Sequence, residues 1–319
     1  MSRVDVGGFD EPRVGDTQED IRARTSRFAL SAFFGPIAKL PGAGIASFIV
    51  VGLLLLLAAI GPLIAPYDPI AQNFSVLLAP PSLEHLFGTD QLGRDVFSRV
   101  LAGARISLFI GLAAVIIAVA LGTLLGLLAG FLGGWVDTTI MRITDLFLAF
   151  PALILAMAVS AALGPSLMNV LIAVSVTWWP EYARLARSVG MVERKVQYVD
   201  AARVLGMRTG PILGSHVFPA AVPPLLVKAT MDVGIAIVYV AGLSFIGLGV
   251  QPPTPEWGVM ISEGRIYMQS AWWIATYPSL AILITGFAFN LAGESLRDAL
   301  DPRQHTKRRR TRHASTKRI

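Results

Sequence analysis

Residues Glu181–Pro219 read EYARLARSVGMVERKVQYVDAARVLGMRTGPILGSHVFP, a polar stretch that separates two strongly apolar segments. Its middle part has helical periodicity, because Val199, Ala202 and Leu205 recur every three residues and predict one apolar stripe. Gly206 predicts the end of this helix, since glycine adopts the left-handed conformation of a helix C-terminus at little cost. The stretch is therefore expected to contain a short amphipathic helix.

A second short helix is predicted just after the first. Gly210-Pro211 can open it, because proline is tolerated in the first turn of a helix, and Pro219 is expected to end the polar stretch. An amphipathic helix at a membrane boundary has three uses: it lies on the lipid, packs on its own chain or docks into a soluble partner. Periodicity alone leaves all three open.

The composition is typical of a membrane protein. Of the 319 residues, 54% are hydrophobic and 15% are charged, whereas soluble domains are about one quarter charged. Six apolar runs, of which all but the fifth are uncharged, could each cross a bilayer core of about 30 Å. They are Ile45–Ala65, Ile106–Leu132, Leu146–Leu163, Gly164–Pro180, Ala220–Val250 and Ile266–Gly293. The predicted fold class is therefore an all-α membrane protein with six transmembrane helices.

The distribution of basic residues predicts the orientation in the membrane. Six spans place both termini on one side, and most of the 27 Lys and Arg residues then fall on that side. Only Arg94, Arg99, Arg105 and Arg265 fall on the other side. Because basic segments stay in the cytoplasm, we expect both termini and residues 181–219 to be cytoplasmic.

Two tails flank the predicted membrane domain, residues 44–303. Residues 1–43 carry both charge signs before a full-length span, so they predict a retained cytoplasmic segment rather than a cleaved signal. Within this tail, Ser26–Leu40 is expected to lie along the membrane interface. Residues 304–319 form a basic cytoplasmic tail that suits membrane orientation and anionic lipid. We expect no nucleic-acid partner, because no aromatic residues alternate with these basic ones.

Motifs for covalent chemistry are absent from the sequence. No lysine follows a glycine, which excludes the phosphate-binding loop Gly-x4-Gly-Lys-[Ser/Thr]. The chain has no His-Glu-x-x-His pair, no Gly-x-Ser-x-Gly elbow and no cysteine for a disulfide or a thiolate metal site. We therefore expect no enzyme activity, cofactor or metal on this chain, and expect energy to come from another polypeptide.

The polar stretch resembles the cytoplasmic loop of ABC-importer permeases, because Asp200-Ala-Ala is followed by Gly206 and Pro219 in the family's order. Asp200 stands where the family usually has Glu, and His216 and Phe218 stand where the broader pattern has Ile and Leu. Further segments resemble the dipeptide/oligopeptide/nickel branch of that family. They are GTDQLGRDVFSR (88–99), GARISL (103–108), LSFIGLG (243–249), QPPTPEWG (251–258) and LRDALDPR (296–303).

The resemblance implies a type I importer permease fold with a cytoplasmic coupling helix, in the inner (plasma) membrane of a prokaryote. It implies four kinds of partner: a second permease, one or two cytoplasmic ATPases that hold ATP and Mg, an extracytoplasmic substrate-binding protein and lipid. The residues implied in ATPase coupling are Val199, Asp200, Ala201, Ala202, Arg203, Leu205, Gly206 and Pro219. The apolar stripe is expected to enter a groove of the ATPase, and Arg203 and Arg208 to pair with its acidic residues.

Lys228 and Asp232 are charged residues inside a predicted span. They lie four residues apart and so can pair on one helix face, but charges within a membrane are costly and often functional. Two interpretations stay open. The residues form a structural ion pair, or they line the translocation path.

Three further segments have two interpretations each. Gly122, Gly126 and Gly130 share one helix face and favour close helix packing within the subunit, with contact to a partner permease as the alternative. Gly88–Arg99 suits a capped short helix. Gln251–Gly258 is proline-rich and is expected to reach the membrane surface through Glu256-Trp257. A gate at the outer mouth and a plain connector both stay open for these two segments.

The predicted function is that of a transmembrane permease subunit, which forms half of the translocation pathway for dipeptides or oligopeptides and couples to an ATPase through residues 194–219. Another solute of the same family, a nickel complex or glutathione, is the alternative substrate. A stand-alone secondary carrier is the alternative class. Carriers usually show internal repeats and ionisable residues in several spans, and the sequence shows neither.

Overall fold

The computed structural model describes residues 42–300, and within that range every regular element is a helix. The tails, including the interfacial helix predicted at Ser26–Leu40, lie outside the described residues. The helices are α1 Gly42–Ile64, α2 Val96–Leu132, α3 Gly134–Leu148, α4 Ala152–Leu163, α5 Leu167–Glu193, α6 Gln197–Val204, α7 Thr209–Ile212, α8 Phe218–Phe245, α9 Trp257–Gly264 and α10 Trp273–Leu300. A π-helical turn, Leu213–Val217, makes α7 and α8 continuous.

Four helical stretches are long and apolar enough to cross a membrane: α1, α2, the continuous α7–α8 and α10. The pair α3–α4 is a fifth candidate, although it bends by 88° at its break. Helix α5 is long, but its C-terminal part is charged, so it does not reach the apolarity of the other four. The all-helical membrane class is confirmed, and the count of six spans stays a prediction.

The predicted span Leu146–Leu163 is wrong as a single helix. Helix α3 ends at Leu148, and α4 starts at Ala152 after Pro151, which has an extended ψ of 126°. A residue before proline is pushed away from helical angles, so Phe150-Pro151 breaks the helix within an apolar run. The predicted turn at Gly164-Pro165 is confirmed, because Gly164 has a positive φ of 86° and caps α4.

The predicted start of the polar loop at Glu181 is also wrong. Helix α5 continues through Pro180 to Glu193 and buries Tyr182, Ala183 and Ala186. These residues follow helical spacing and pack on α2, so tertiary burial outweighs the loss of one backbone hydrogen bond at Pro180. The segment between the two long helices is therefore shorter than the sequence indicates.

The glycine face of α2 is packed against α5 of the same chain. A methyl group at Gly122, Gly126 or Gly130 would lie 2.2–2.4 Å from a backbone oxygen of α5. Only glycine permits this approach, as in other closely packed membrane helices. The prediction of packing within the subunit is confirmed, and it makes α2 and α5 the tightest pair of the fold.

The segment before α2 is a buried turn rather than the predicted short helix. Asp95 caps α2 by accepting from the Ser98 amide at 2.8 Å, so the helix begins ten residues before the predicted Ile106. The turn is closed by four side chains that we call the outer ion cluster. They are Asp90, Arg94, Arg99 and Glu263.

Glu256 and Trp257 lie inside the protein, so their predicted place at the membrane surface is wrong. The Glu256 carboxylate caps α9 by accepting from the amides of Gly258 and Val259, each at 3.0 Å. It also accepts from Ser107 Oγ of α2 at 3.2 Å. Residues 251–258 therefore form a connector that is packed on α2.

Candidate docking surface

Helix α6 lies against its own chain through one side. Val199 is fully buried and Ala202 is 6% exposed, but Leu205 is 82% exposed. Leu205 is the first residue after the helix and does not have helical backbone angles. The predicted stripe of Val199, Ala202 and Leu205 is therefore wrong in its last member. The buried side of α6 faces inward, which corrects the expectation that it enters a groove of a partner.

Gly206 ends α6 as predicted. Its φ is +81°, its amide donates to the Arg203 carbonyl at 2.9 Å, and the Met207 amide donates to the Ala202 carbonyl at 3.0 Å. This pair of bonds is the Schellman arrangement that closes a helix through a left-handed residue. The backbone after α6 is therefore set by Gly206.

Tyr198 connects α6 to the chain segments that precede and follow it. Its hydroxyl donates to the Glu193 carboxylate at the end of α5, and its ring stacks on His216 in the π turn, with ring centroids 5.5 Å apart. The hydrogen bond to Glu193 raises the pKa of Tyr198 to about 12. An ordinary tyrosine is already protonated at neutral pH, and the raised pKa extends this donor state further into the alkaline range. The sequence analysis did not single out Tyr198.

Arg203 is held within the chain. Its guanidinium pairs with Asp200 at 3.2 Å and lies 5.3 Å from the centroid of the Phe131 ring at the end of α2. Its side chain remains 46% exposed, so it can contact a partner only at its outer edge. Asp200, Ala201 and Arg208 are exposed beside it.

The surface that α6 offers to a partner is an apolar tip formed by Val204, Leu205 and Met207. These side chains are 88%, 82% and 38% exposed. Val204 and Met207 escaped the sequence analysis, although the signal was present: a helix that stops at Gly206 cannot continue its buried stripe beyond Ala202. Exposed apolar groups that lie this close together are suited to contact with another protein or with a membrane surface.

Pro219 does not adjoin this tip. It is the second residue of α8, inside the continuous stretch of α7, the π turn and α8, where its missing N–H removes one helical hydrogen bond. Helix α7 and the π turn separate it from Gly206. Pro211 lies in the first turn of α7, as predicted.

Lys228 and Asp232 form the predicted pair, with 2.9 Å between Nζ and Oδ2. The structure adds two residues of α5. Lys228 Nζ contacts Glu181 Oε2 at 2.7 Å, and the Tyr182 hydroxyl donates to Asp232 Oδ2 at 2.6 Å. We call these four residues the polar cluster. Sequence spacing could not find Glu181 and Tyr182, because they lie on another helix.

The fold and this surface define a class: a multi-pass helical membrane protein that displays a short helix with an apolar tip beyond its membrane core. Within residues 42–300, no three His, Cys, Asp or Glu side chains are grouped as a metal site would require.

The chain belongs to the family of binding-protein-dependent transport system inner membrane components, which its residues 122–306 match. Residues 43–81 match the N-terminal transmembrane domain of oligopeptide transport permease C. The protein is thus a permease subunit of an ABC importer, as the sequence analysis predicted, and the family is one of non-catalytic subunits.

Three curated relatives are similar over most of their length. A probable D,D-dipeptide transport system permease protein of Escherichia coli is 45% identical over 81% of this chain and 87% of its own. A di/tripeptide transport system permease protein of Pseudomonas aeruginosa is 45% identical over 79% and 85%. A glutathione transport system permease protein of Shigella flexneri is 50% identical over 79% and 83%.

A solved structure has a similar fold. The inward-facing MetNI methionine ABC transporter aligns with a TM-score of 0.51 and 18% identity, over 64% of this chain and 97% of its own. This likeness supports the permease fold.

Proposed function

We propose that this chain forms half of the translocation pathway for short peptides and couples it to a cytoplasmic ATPase through residues 194–219. The proposed substrates are dipeptides or oligopeptides, because the relatives are named for D,D-dipeptides, di- and tripeptides, and glutathione. Glutathione, itself a tripeptide, is the second candidate substrate.

The apolar tip carries the proposal of coupling. Val204, Leu205 and Met207 are displayed at the end of α6, and α6 is fixed to its own chain by the buried Val199 and Ala202. A groove on an ATPase could bury the tip, and each fully buried Val, Leu or Met side chain contributes about 1.5–3 kcal/mol. The exposed Asp200, Arg203 and Arg208 surround the tip and could give the contact its specificity.

The proposed assembly contains a second permease, one or two ATPases that hold ATP and Mg, an extracytoplasmic binding protein and lipid. Both termini and α6 lie in the cytoplasm of a prokaryotic cell, and the permeases lie in its inner membrane. In this arrangement, closure of the ATPases displaces α6, and the helices joined to α6 open the pathway.

Co-purification tests the proposal. The tagged chain is extracted from native membranes in a mild detergent, and its partners are identified by mass spectrometry. We expect a second permease and one or two ATPases, and uptake assays then compare dipeptides, oligopeptides and glutathione. Recovery of this chain alone, under conditions that keep known complexes intact, would favour a stand-alone carrier and contradict the proposal.

A further inference from the structure

The polar cluster joins α5 and α8, the two helices that flank residues 194–217, which we call the docking segment. Glu181 and Tyr182 lie on α5, which leads into α6, whereas Lys228 and Asp232 lie on α8, which follows it. The cluster is set back along α5 from Glu193, by about 18 Å at 1.5 Å rise per residue. It therefore connects the two helices at a level that is distant from the apolar tip.

Two contacts cross between the helices in opposite senses. The cation of α8 reaches an anion of α5, from Lys228 Nζ to Glu181 Oε2 at 2.7 Å. The hydroxyl of α5 reaches an anion of α8, from Tyr182 to Asp232 at 2.6 Å. Lys228 Nζ also lies 5.2 Å from the centroid of the Tyr182 ring. Sliding or rotation of either helix would break at least one of these contacts.

Stability alone is a weak reason for such a cluster. Tyr182 is fully buried, and the side chains of Asp232 and Lys228 are 11% and 27% exposed, whereas that of Glu181 is 54% exposed. Removing charged groups from water costs about as much as their pairing returns, so well-packed apolar residues at the buried positions would be as stable. The buried contact between Tyr182 and Asp232 does fix one geometry, because alternatives leave polar groups unpaired.

We propose that the polar cluster is a clamp that makes α5 and α8 move as one body when α6 is displaced, with its four members acting as positioning residues. This inference rests on the proposed coupling role of α6. Tyr198 ties α6 to Glu193 and His216 near the tip, and the cluster ties α5 to α8 deeper in the protein. The docking segment is thus braced at two levels, so a push on α6 reaches both helices together.

The double variant Glu181→Met with Tyr182→Phe removes the ion pair and the hydrogen bond between the helices, and it leaves an aromatic ring beside Lys228. It keeps the pair Lys228–Asp232, so no buried charge is left without a partner. We expect the assembled importer to hydrolyse ATP at close to the normal rate but to import about fivefold less solute per ATP, or worse, as a coupling loss of about 1 kcal/mol requires. The matched control is Arg184→Gln, which removes an exposed ion pair of α5 with Asp145 at 2.7 Å and should keep the normal ratio.

Distance measurements test the clamp without relying on transport. The chain has no cysteine, so spin labels can be placed at Ser188→Cys on α5 and Ser215→Cys before α8, both exposed. In the assembled importer, adding a non-hydrolysable ATP analogue should leave this distance unchanged. It should change the distance between labels at Gln197→Cys on α6 and Leu83→Cys in the segment before α2. In the double variant, the Ser188–Ser215 distance distribution should broaden.

The outcomes separate the two proposals. A nucleotide-dependent change between Ser188 and Ser215 would overturn the clamp while leaving the coupling role of α6 intact. A double variant with normal distances and normal solute imported per ATP would also overturn the clamp. No change at Gln197, together with no ATPase in the purified complex, would overturn the proposed function and the clamp with it.

Discussion

Gly206 shows how one backbone angle governs the docking surface. Its φ of +81° is a conformation that glycine adopts readily and that other residues rarely adopt. An added Cβ atom would meet no other atom within 4 Å. A substitution therefore acts through backbone strain and not through a clash. The left-handed conformation costs other residues about 1–2 kcal/mol, and a β-branched residue more.

We expect Gly206→Val to fray the end of α6, displace the apolar tip and abolish coupled transport while leaving membrane insertion intact. The measurements are solute uptake and the amount of ATPase recovered with the tagged chain. Gly210→Ala is the matched control, because Gly210 also has open space around it but has no positive φ. Normal uptake by Gly206→Val would contradict the role given to this turn.

The apolar tip and the buried side of α6 predict opposite effects for two valines. Val204→Asp, at an 88% exposed position at the end of α6, should lower the stability of the chain only slightly, by about 0.3–1 kcal/mol, because a carboxylate at a helix C-terminus opposes the helix dipole. It should reduce ATPase recovery at least tenfold, which corresponds to about 1.4 kcal/mol of contact energy. Val199→Ala, at a fully buried position, should lower thermal stability by about 1–2 kcal/mol. The pair is compared by melting in detergent and by co-purification. Equal ATPase recovery for Val204→Asp and the parent would exclude the tip from the contact.

At the scale of elements, the sequence was informative where a local rule decides the structure. Gly206, Pro211 and the Gly164-Pro165 turn have the predicted places because backbone angles of single residues set them. The sequence misled where distant packing decides. Pro180 lies inside α5 because Tyr182 and its neighbours are buried on α2.

Charged residues account for a further difference. Helix α2 begins before its apolar run and includes the charged residue Arg99. The Arg99 guanidinium pairs at 3.1 Å with Glu263, which comes from a segment far along the chain. The same holds for the candidate site, where Lys228–Asp232 follows from spacing on one helix, while Glu181 and Tyr182 are brought in by the packing of another.

The outer ion cluster holds the turn before α2 against α9. The Glu263 carboxylate accepts from Arg94 at 3.0 Å and from Arg99 at 3.1 Å, and both guanidiniums are 1% exposed. Glu263→Gln leaves Asp90 to compensate two buried cations, so we expect a loss of about 3 kcal/mol. The measurements of this loss are a lower melting temperature and faster proteolysis of residues 66–87. The control is Glu84→Gln, at an exposed acid of the same segment, which should change neither the melting temperature nor the proteolysis.

If Glu263→Gln also leaves both unchanged, the cluster contributes nothing to holding the turn.

For the whole molecule, the bend between α3 and α4 decides the topology. If the pair and α5 each cross the membrane, three crossings separate Leu83 from Leu205, and the two residues lie on opposite sides. If the pair enters and leaves on the same side while α5 crosses, two crossings separate them and they share a side. Basic residues of 181–219 favour the first arrangement, because such segments remain cytoplasmic.

We therefore expect single cysteines at these two exposed positions to react from opposite faces. Leu83→Cys should react with an impermeant maleimide in right-side-out vesicles, and Leu205→Cys only in inverted ones. Since the parent chain has no cysteine, it supplies the background control. Labelling of both positions in the same vesicles would mean that α3–α4 is a re-entrant pair or that α5 does not cross. Helix α6 would then share a side with the segment before α2. An ATPase could reach the apolar tip only if that shared side were the cytoplasm. The coupling proposal therefore depends on this measurement of topology.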